Sequence, residues 1–209
     1  TLQQGKQFIN LSAEAHFKIS YRKKNQGMFI RVFAGGFPYY GKSSSDISAP
    51  VPKIYMSNAT DYNYAYWLQK DYMFDENFVD RNGHDNYLGR QVAFTGGGFR
   101  SISSFGATNK FLSAVNITST IYRWVPFRPF ASFAVLDDET NKLRAAAELG
   151  ISLVAIKDVI EIHLPLVTTK NITQSQQVNG INKWYQKITF TLKLPLLNVT
   201  TLIRQFAGF

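Results

Sequence analysis

The alternation of side chains from Leu143 to Val167 limits what this chain can fold into more than any other feature. Ala145, Ala147, Leu149, Ile151 and Leu153 occupy every second position, with Arg144, Glu148 and Ser152 between them. After Lys157-Asp158 the rhythm resumes, with Ile160, Ile162, Leu164 and Leu166 alternating with Val159, Glu161, His163 and Pro165. Successive strand side chains point to opposite faces, so each half is expected to be a strand with one apolar face. A helix would scatter these residues around its circumference and leave no stripe to bury. The stretch predicts an antiparallel hairpin whose apolar face meets either a protein core or lipid.

The same period recurs along the chain. Phe17, Ile19 and Tyr21 interleave with Lys18, Ser20 and Arg22; past a polar break ending in Gln26-Gly27, Phe29, Arg31, Phe33 and Gly35 alternate with Ile30, Val32, Ala34 and Gly36. Further strands are expected over Arg90–Phe99, Phe111–Tyr122, Arg128–Leu136 and Gln186–Leu194, the last with Ile188, Phe190, Leu192 and Leu194 opposed by Lys187, Thr189, Thr191 and Lys193. Tyr39–Pro52, Asp71–Asn86 and Thr168–Gly180 read as loops. Tyr62, Tyr64 and Tyr66 share one strand face beside Trp67 and form either a tyrosine ladder or an interfacial aromatic cluster. The whole is an all-β, antiparallel pattern in 209 residues, enough for one domain with a sizeable core.

Charge and composition narrow the partners. The formal charge of +9 favours anionic ones, with nucleic acid, lipopolysaccharide and anionic lipid all open. The chain has no cysteine, so disulfide and thiolate-metal frameworks are excluded. No run approaches the ~18 apolar residues of a membrane-spanning helix, whereas a barrel strand needs only about 9 to 11 alternating ones. The opening residues, TLQQGKQF, lack a secretory signal pattern, and the chain is expected to be a fragment of a longer precursor, residues 1–209 forming a single barrel domain.

Catalytic motifs find no foothold. His16, His84 and His163 lie far apart, so no paired-histidine zinc motif exists, and no cofactor is expected. Gly96-Gly97-Gly98 lacks the Lys-Ser/Thr of a phosphate loop and reads as strand curvature or a bulge. Asp71, Asp75, Glu76, Asp80 and Asp85 do not have calcium-loop spacing. Asn10, Asn58, Asn116, Asn171 and Asn198 begin N-x-S/T triplets, which read as chance because Asn116 falls within a strand pattern. Aromatic residues beside basic ones, as in Tyr122-Arg123-Trp124 and Lys183-Trp184-Tyr185, suit nucleic-acid stacking or a membrane aromatic girdle.

Several tracts carry a family resemblance. Asp71-Tyr-Met-Phe-Asp75, Asp80-Arg-Asn82, Arg90-Gln91, Gly97-Gly-Phe99 and Phe111–Asn116 resemble the C-terminal region of large Bacteroidota outer-membrane proteins related to the gluzincin (membrane alanyl aminopeptidase-like) metallopeptidases. Glu148-Leu-Gly150 with Lys157–Leu166 is similar to that region's penultimate strand pair. Ile19–Arg22 and Ile30–Gly35 are similar to its first hairpin, and Lys187–Leu194 with Leu202-Ile-Arg204 to its end. The resemblance implies a barrel in the bacterial outer membrane, preceded by a peptidase domain whose zinc ligands are not in this sequence, so no catalytic residue is carried over.

The expectation is a transmembrane barrel of roughly 8–12 strands, or part of a larger one, anchoring an attached peptidase-like domain. Its partners would be outer-membrane lipid or lipopolysaccharide, that N-terminal peptidase domain, and other outer-membrane proteins; nucleic acid is disfavoured. Glu148, Glu161, His163, Lys187 and Lys193 would face the interior, and Ile160, Ile162, Leu164, Leu166, Ile188, Phe190 and Leu192 the lipid. Trp67, Tyr122, Trp124, Trp184 and Tyr185 would form the girdle. A soluble β-sandwich binding glycans on Tyr62, Tyr64, Tyr66 and Trp67 is the alternative, since one-sided alternation serves it equally well.

Overall fold

The computed structural model describes residues 8–21, 26–40, 53–59, 87–120, 126–137, 142–156 and 159–192. Its centre is one seven-stranded antiparallel sheet, curled into a half-barrel. The strands are β1 (Phe8–Ser20), β2 (Gly27–Tyr40), β7 (Phe111–Thr120), β8 (Phe127–Asp137), β9 (Leu143–Ile156), β10 (Ile160–Thr168) and β11 (Thr189–Leu192), adjacent in that order. Short ribbons pair β3 (Ile54–Tyr55) with β6 (Ala107–Thr108), and β4 (Asn58–Ala59) with β5 (Val92–Ala93). The expected antiparallel β architecture is present, with seven strands in the long sheet and four in the two short ribbons among the described residues.

Register shows which residues share a face. Phe17, Ile30, Ile117, Ala131, Leu149 and Val167 lie opposite one another in turn across six strands. One residue away, on the other face, runs His16, Arg31, Asn116, Ser132, Glu148 and Thr168. The apolar row lies on the convex side, where Phe133, Leu149, Ile151 and Ile162 are at least a third exposed. The polar row lines the concavity, and Asn116, Ser132 and Glu148 are buried there. Hydrocarbon outward and hydrogen-bonding groups inward is the reverse of a soluble sheet's usual arrangement.

Part of the concavity does hold an apolar core. Phe33, Leu112, Ala114, Ala134, Leu136 and Ala146 on the sheet pack with Ile54, Met56, Phe99 and Ile172. Ile172 belongs to helix α1 (Lys170–Val178), which forms where a loop is expected from the sequence. The helix forms despite its Asn, Gln and Thr content because its buried positions, Ile172 and Gln176, are one turn apart. Its end is a Schellman cap: Gly180 takes φ +75°, its N–H bonds Gln177 O, and the Ile181 N–H bonds Gln176 O.

Four further expectations are corrected. Arg90–Phe99 contributes only the two-residue β5, preceded by a 3-10 helix at Leu88–Arg90. Gly96 and Gly98 adopt φ of 56° and 65°, which turn the chain out of the sheet instead of curving a strand. The final strand starts at Thr189, because a 3-10 helix occupies Trp184–Lys187 and Ile188 caps it; neither Lys187 nor Ile188 is a strand residue. In β10 the register shifts between Pro165 and Val167, so the alternation fails there and Leu166 and Val167 are both 59% exposed. Pro165 has no N–H to give to the ladder, which suits it to the edge of such an irregularity.

Candidate functional site: the polar interior

The Glu148 carboxylate is the hub of the concavity. It is 1% exposed and accepts four hydrogen bonds: from the Arg100 N–H at 2.7 Å, the Ser101 N–H at 2.9 Å, Ser101 Oγ at 2.5 Å and Ser132 Oγ at 3.0 Å. Alternation places Glu148 and Ser132 inward on adjacent strands, and the segment after the triple glycine delivers two successive backbone N–H groups to the Glu148 carboxylate. A buried carboxylate is tolerable only when so satisfied.

Arg100 lies beside this hub with its guanidinium 4.6 Å from the Phe94 ring centroid and 4.3 Å from that of Phe130. Its Nη2 donates to Thr118 Oγ1 at 2.8 Å, while Nε and Nη1 have no hydrogen-bond partner among the described residues. Burial pulls its pKa down to about 10, opposed by the negative charges of Glu148 and Glu161, so the guanidinium remains charged at neutral pH. Two aromatic faces and a nearby carboxylate replace the water it has lost.

A second cluster clamps the glycine turn. Arg31 donates from Nε to Glu14 Oε1 at 2.8 Å, and from Nη1 to Gly96 O and Asn116 Oδ1, each at 2.9 Å. Asn116 Nδ2 in turn donates to Gly97 O at 2.9 Å. Asn116 is 4% exposed and fully engaged, which leaves no room for a glycan on its triplet. Gly97 sits so tightly that a Cβ there would lie 2.6 Å from Met56 Cα and 2.6 Å from its carbonyl oxygen. Gly97→Ala is expected to lower stability by about 1–3 kcal/mol through overpacking. A urea titration followed by tryptophan fluorescence checks this; an unchanged midpoint would mean that the close approach does not hold the segment.

His163 is buried on β10. Its Nδ1 meets Ser152 Oγ at 2.8 Å and its Nε2 meets Thr191 Oγ1 at 3.3 Å, with Phe94 and Phe130 edge-on at 5.6 and 6.3 Å. Both ring nitrogens are occupied by hydroxyls, as befits a structural histidine. Glu161 lies on the same face and pairs with Arg128 Nη1 at 2.8 Å. Because that pair retains some exposure, Glu161→Gln is expected to change stability by under about 1 kcal/mol. Thermal melting of the purified variant measures this, and a loss as large as that of a Glu148 variant would contradict it.

The remaining residues named from the sequence fall as follows. Glu148, Glu161 and His163 come together on the concave face, and Ile160, Ile162, Leu164, Phe190 and Leu192 share the convex one. Leu166 is exposed within the register shift. Trp184 is 68% exposed and packs edge-on to Tyr185 at 6.1 Å, directly before β11. Lys193, Trp67, Tyr122, Trp124, the Tyr62–Tyr66 ladder, His84 and the acidic stretch from Asp71 lie outside the described residues. Arg31, Asn116 and Ser132 could have been found by extending the Glu148 face across the sheet. Arg100 and Ser101 follow no period and carried no such signal.

Chemically, the site saturates charge with main-chain groups and holds an irregular segment against the wall. No group of three His, Cys, Asp or Glu side chains able to hold a metal ion occurs among the described residues. No protein-family model matches the chain, and neither a curated protein nor a solved structure matches it.

Proposed function

We propose that this chain is part of an outer-membrane β-barrel domain that anchors an attached domain at the bacterial outer membrane and performs no catalysis itself. One observation carries the reading: across six strands, a hydrogen-bonded polar row lines the concavity while the row one residue away presents apolar side chains on the convex side. Lipid requires that pattern of a barrel wall. Strand length supports it, since β1, β2, β7, β8, β9 and β10 have 13, 14, 10, 11, 14 and 9 residues against the ~9–11 needed to cross. No second sheet covers the convex face among the described residues, as a soluble sandwich would require.

The attached domain rests on the family resemblance: in proteins of that kind a peptidase-like domain precedes the barrel region. The free edge of β1 has no partner among the described residues, and lipid tolerates no open edge, so further strands must close the wall between β1 and β11. Expression with an export signal, followed by fractionation, tests the proposal. The protein is expected in the outer-membrane fraction after urea washing, with slower gel migration on boiling. Recovery as a compact monomer in detergent-free buffer would overturn it.

A further inference from the structure

Residues 87–108 cross the concave face from side to side. At one side Gly96 O accepts from Arg31 on β2, and Gly97 O from Asn116 on β7. In the middle the Arg100 guanidinium covers Phe130 of β8, and the Arg100 and Ser101 N–H groups hold Glu148 of β9. Phe94 packs on His163 of β10, and Arg100 O accepts from Thr189 Oγ1 of β11 at 2.7 Å. Leaving the sheet, the segment is caught by α1: Gln176 Nε2 donates to Ile102 O at 3.2 Å, and Ser175 Oγ accepts from the Ser104 N–H at 2.9 Å. It thus engages six of the seven strands and the helix. Phe99, Ser101 and Ile102 are each 0% exposed.

An open diffusion pore keeps its lining charges in water, where they meet the solute. Here Glu148, Asn116 and Arg31 are bonded to the main chain of the crossing segment. We infer that residues 87–108 are a built-in plug that keeps the barrel lumen closed, so that the domain anchors without conducting. The inference rests on the membrane reading and deepens it. Because the bonds to Glu148, Asn116, Thr189 and Gln176 share one short segment, releasing the plug breaks them together, and thermal opening is rare.

The test uses the full chain reconstituted in phospholipid vesicles, with insertion scored by flotation and protease protection, and in planar bilayers. The chain has no cysteine, so Ser101→Cys and Ser104→Cys each give a single reporter, at a buried and an exposed point of the segment. Inserted wild-type protein is expected to show no steady channel conductance. A membrane-impermeant maleimide is expected to label Ser101→Cys at least about tenfold more slowly than Ser104→Cys. Steady open-channel current from inserted wild-type protein, or equal labelling at both positions, would overturn the plug. Failure to insert at all would instead overturn the membrane reading, and this inference with it.

Discussion

Glu148→Ala is expected to cost about 3–5 kcal/mol, the loss typical of removing one partner from a buried charged network. The substitution deletes the acceptor of four hydrogen bonds. It strands two backbone N–H groups that water cannot reach, each at roughly 1–3 kcal/mol, and leaves Arg100 without the carboxylate that does more to hold its charge. Glu148→Gln should lie between, since the amide oxygen still accepts from one backbone N–H while the NH2 group opposes the other, the Arg100 and Ser101 donors being held by different oxygens of the carboxylate. Melting in detergent micelles measures the series Glu148→Ala below Glu148→Gln below wild type. A Glu148→Ala melting point equal to wild type would mean that the hub does not hold the interior together.

The second large effect belongs to the other face. Ile162 lies between Leu153 and Phe190 on the convex side and is 36% exposed. On a soluble protein, Ile162→Lys at so exposed a position would change stability by less than about 1 kcal/mol. Against lipid, a lysine near the bilayer centre costs about 2–4 kcal/mol, and assembly into the membrane should fall sharply. The amount of Ile162→Lys protein in urea-washed outer membranes, compared with Glu161→Gln one residue away, measures the difference. Equal recovery of the two would remove the distinction between the faces.

How far the sequence revealed this molecule depends on whether a residue's position or its partner decided its role. From Leu143 to Ile156 the period of two was sufficient, because strand geometry alone puts Glu148 and Ser152 inside and Leu149 and Ile151 outside. Lys187 and Ile188 obeyed the same period, yet they lie in and beside a 3-10 helix. Four alternating residues are compatible with either conformation, and the tertiary setting chose. The helix at Lys170–Val178 was hidden by a composition typical of loops, although Asn179-Gly180-Ile181 held its stop signal. Asn116 read as a position within a strand pattern; only its register against Arg31 and Ser132 shows it as one link of a polar row.

The crossing segment was the least legible. Gly96, Gly97 and Gly98 read as strand curvature or a bulge, but they lie in a turn closed by the Gly98 N–H on Thr95 O, with Gly96 and Gly98 at positive φ, and Arg31 and Asn116 donate to its carbonyls. Arg100 and Ser101 gained their roles from a carboxylate 47 or 48 positions away. No periodicity encodes a contact of that kind. Such contacts arise when backbone donors of an irregular segment meet the one inward carboxylate that can satisfy them.

The claim on which everything else depends is that the convex face meets lipid. It is tested most directly with a fluorophore attached at Phe17→Cys or at Lys18→Cys, adjacent exposed positions whose side chains point to opposite faces of β1. In vesicles containing lipids brominated along the acyl chain, strong quenching at Phe17→Cys and little at Lys18→Cys is the predicted result. Absence of quenching at Phe17→Cys, or equal quenching at both positions, would contradict the account.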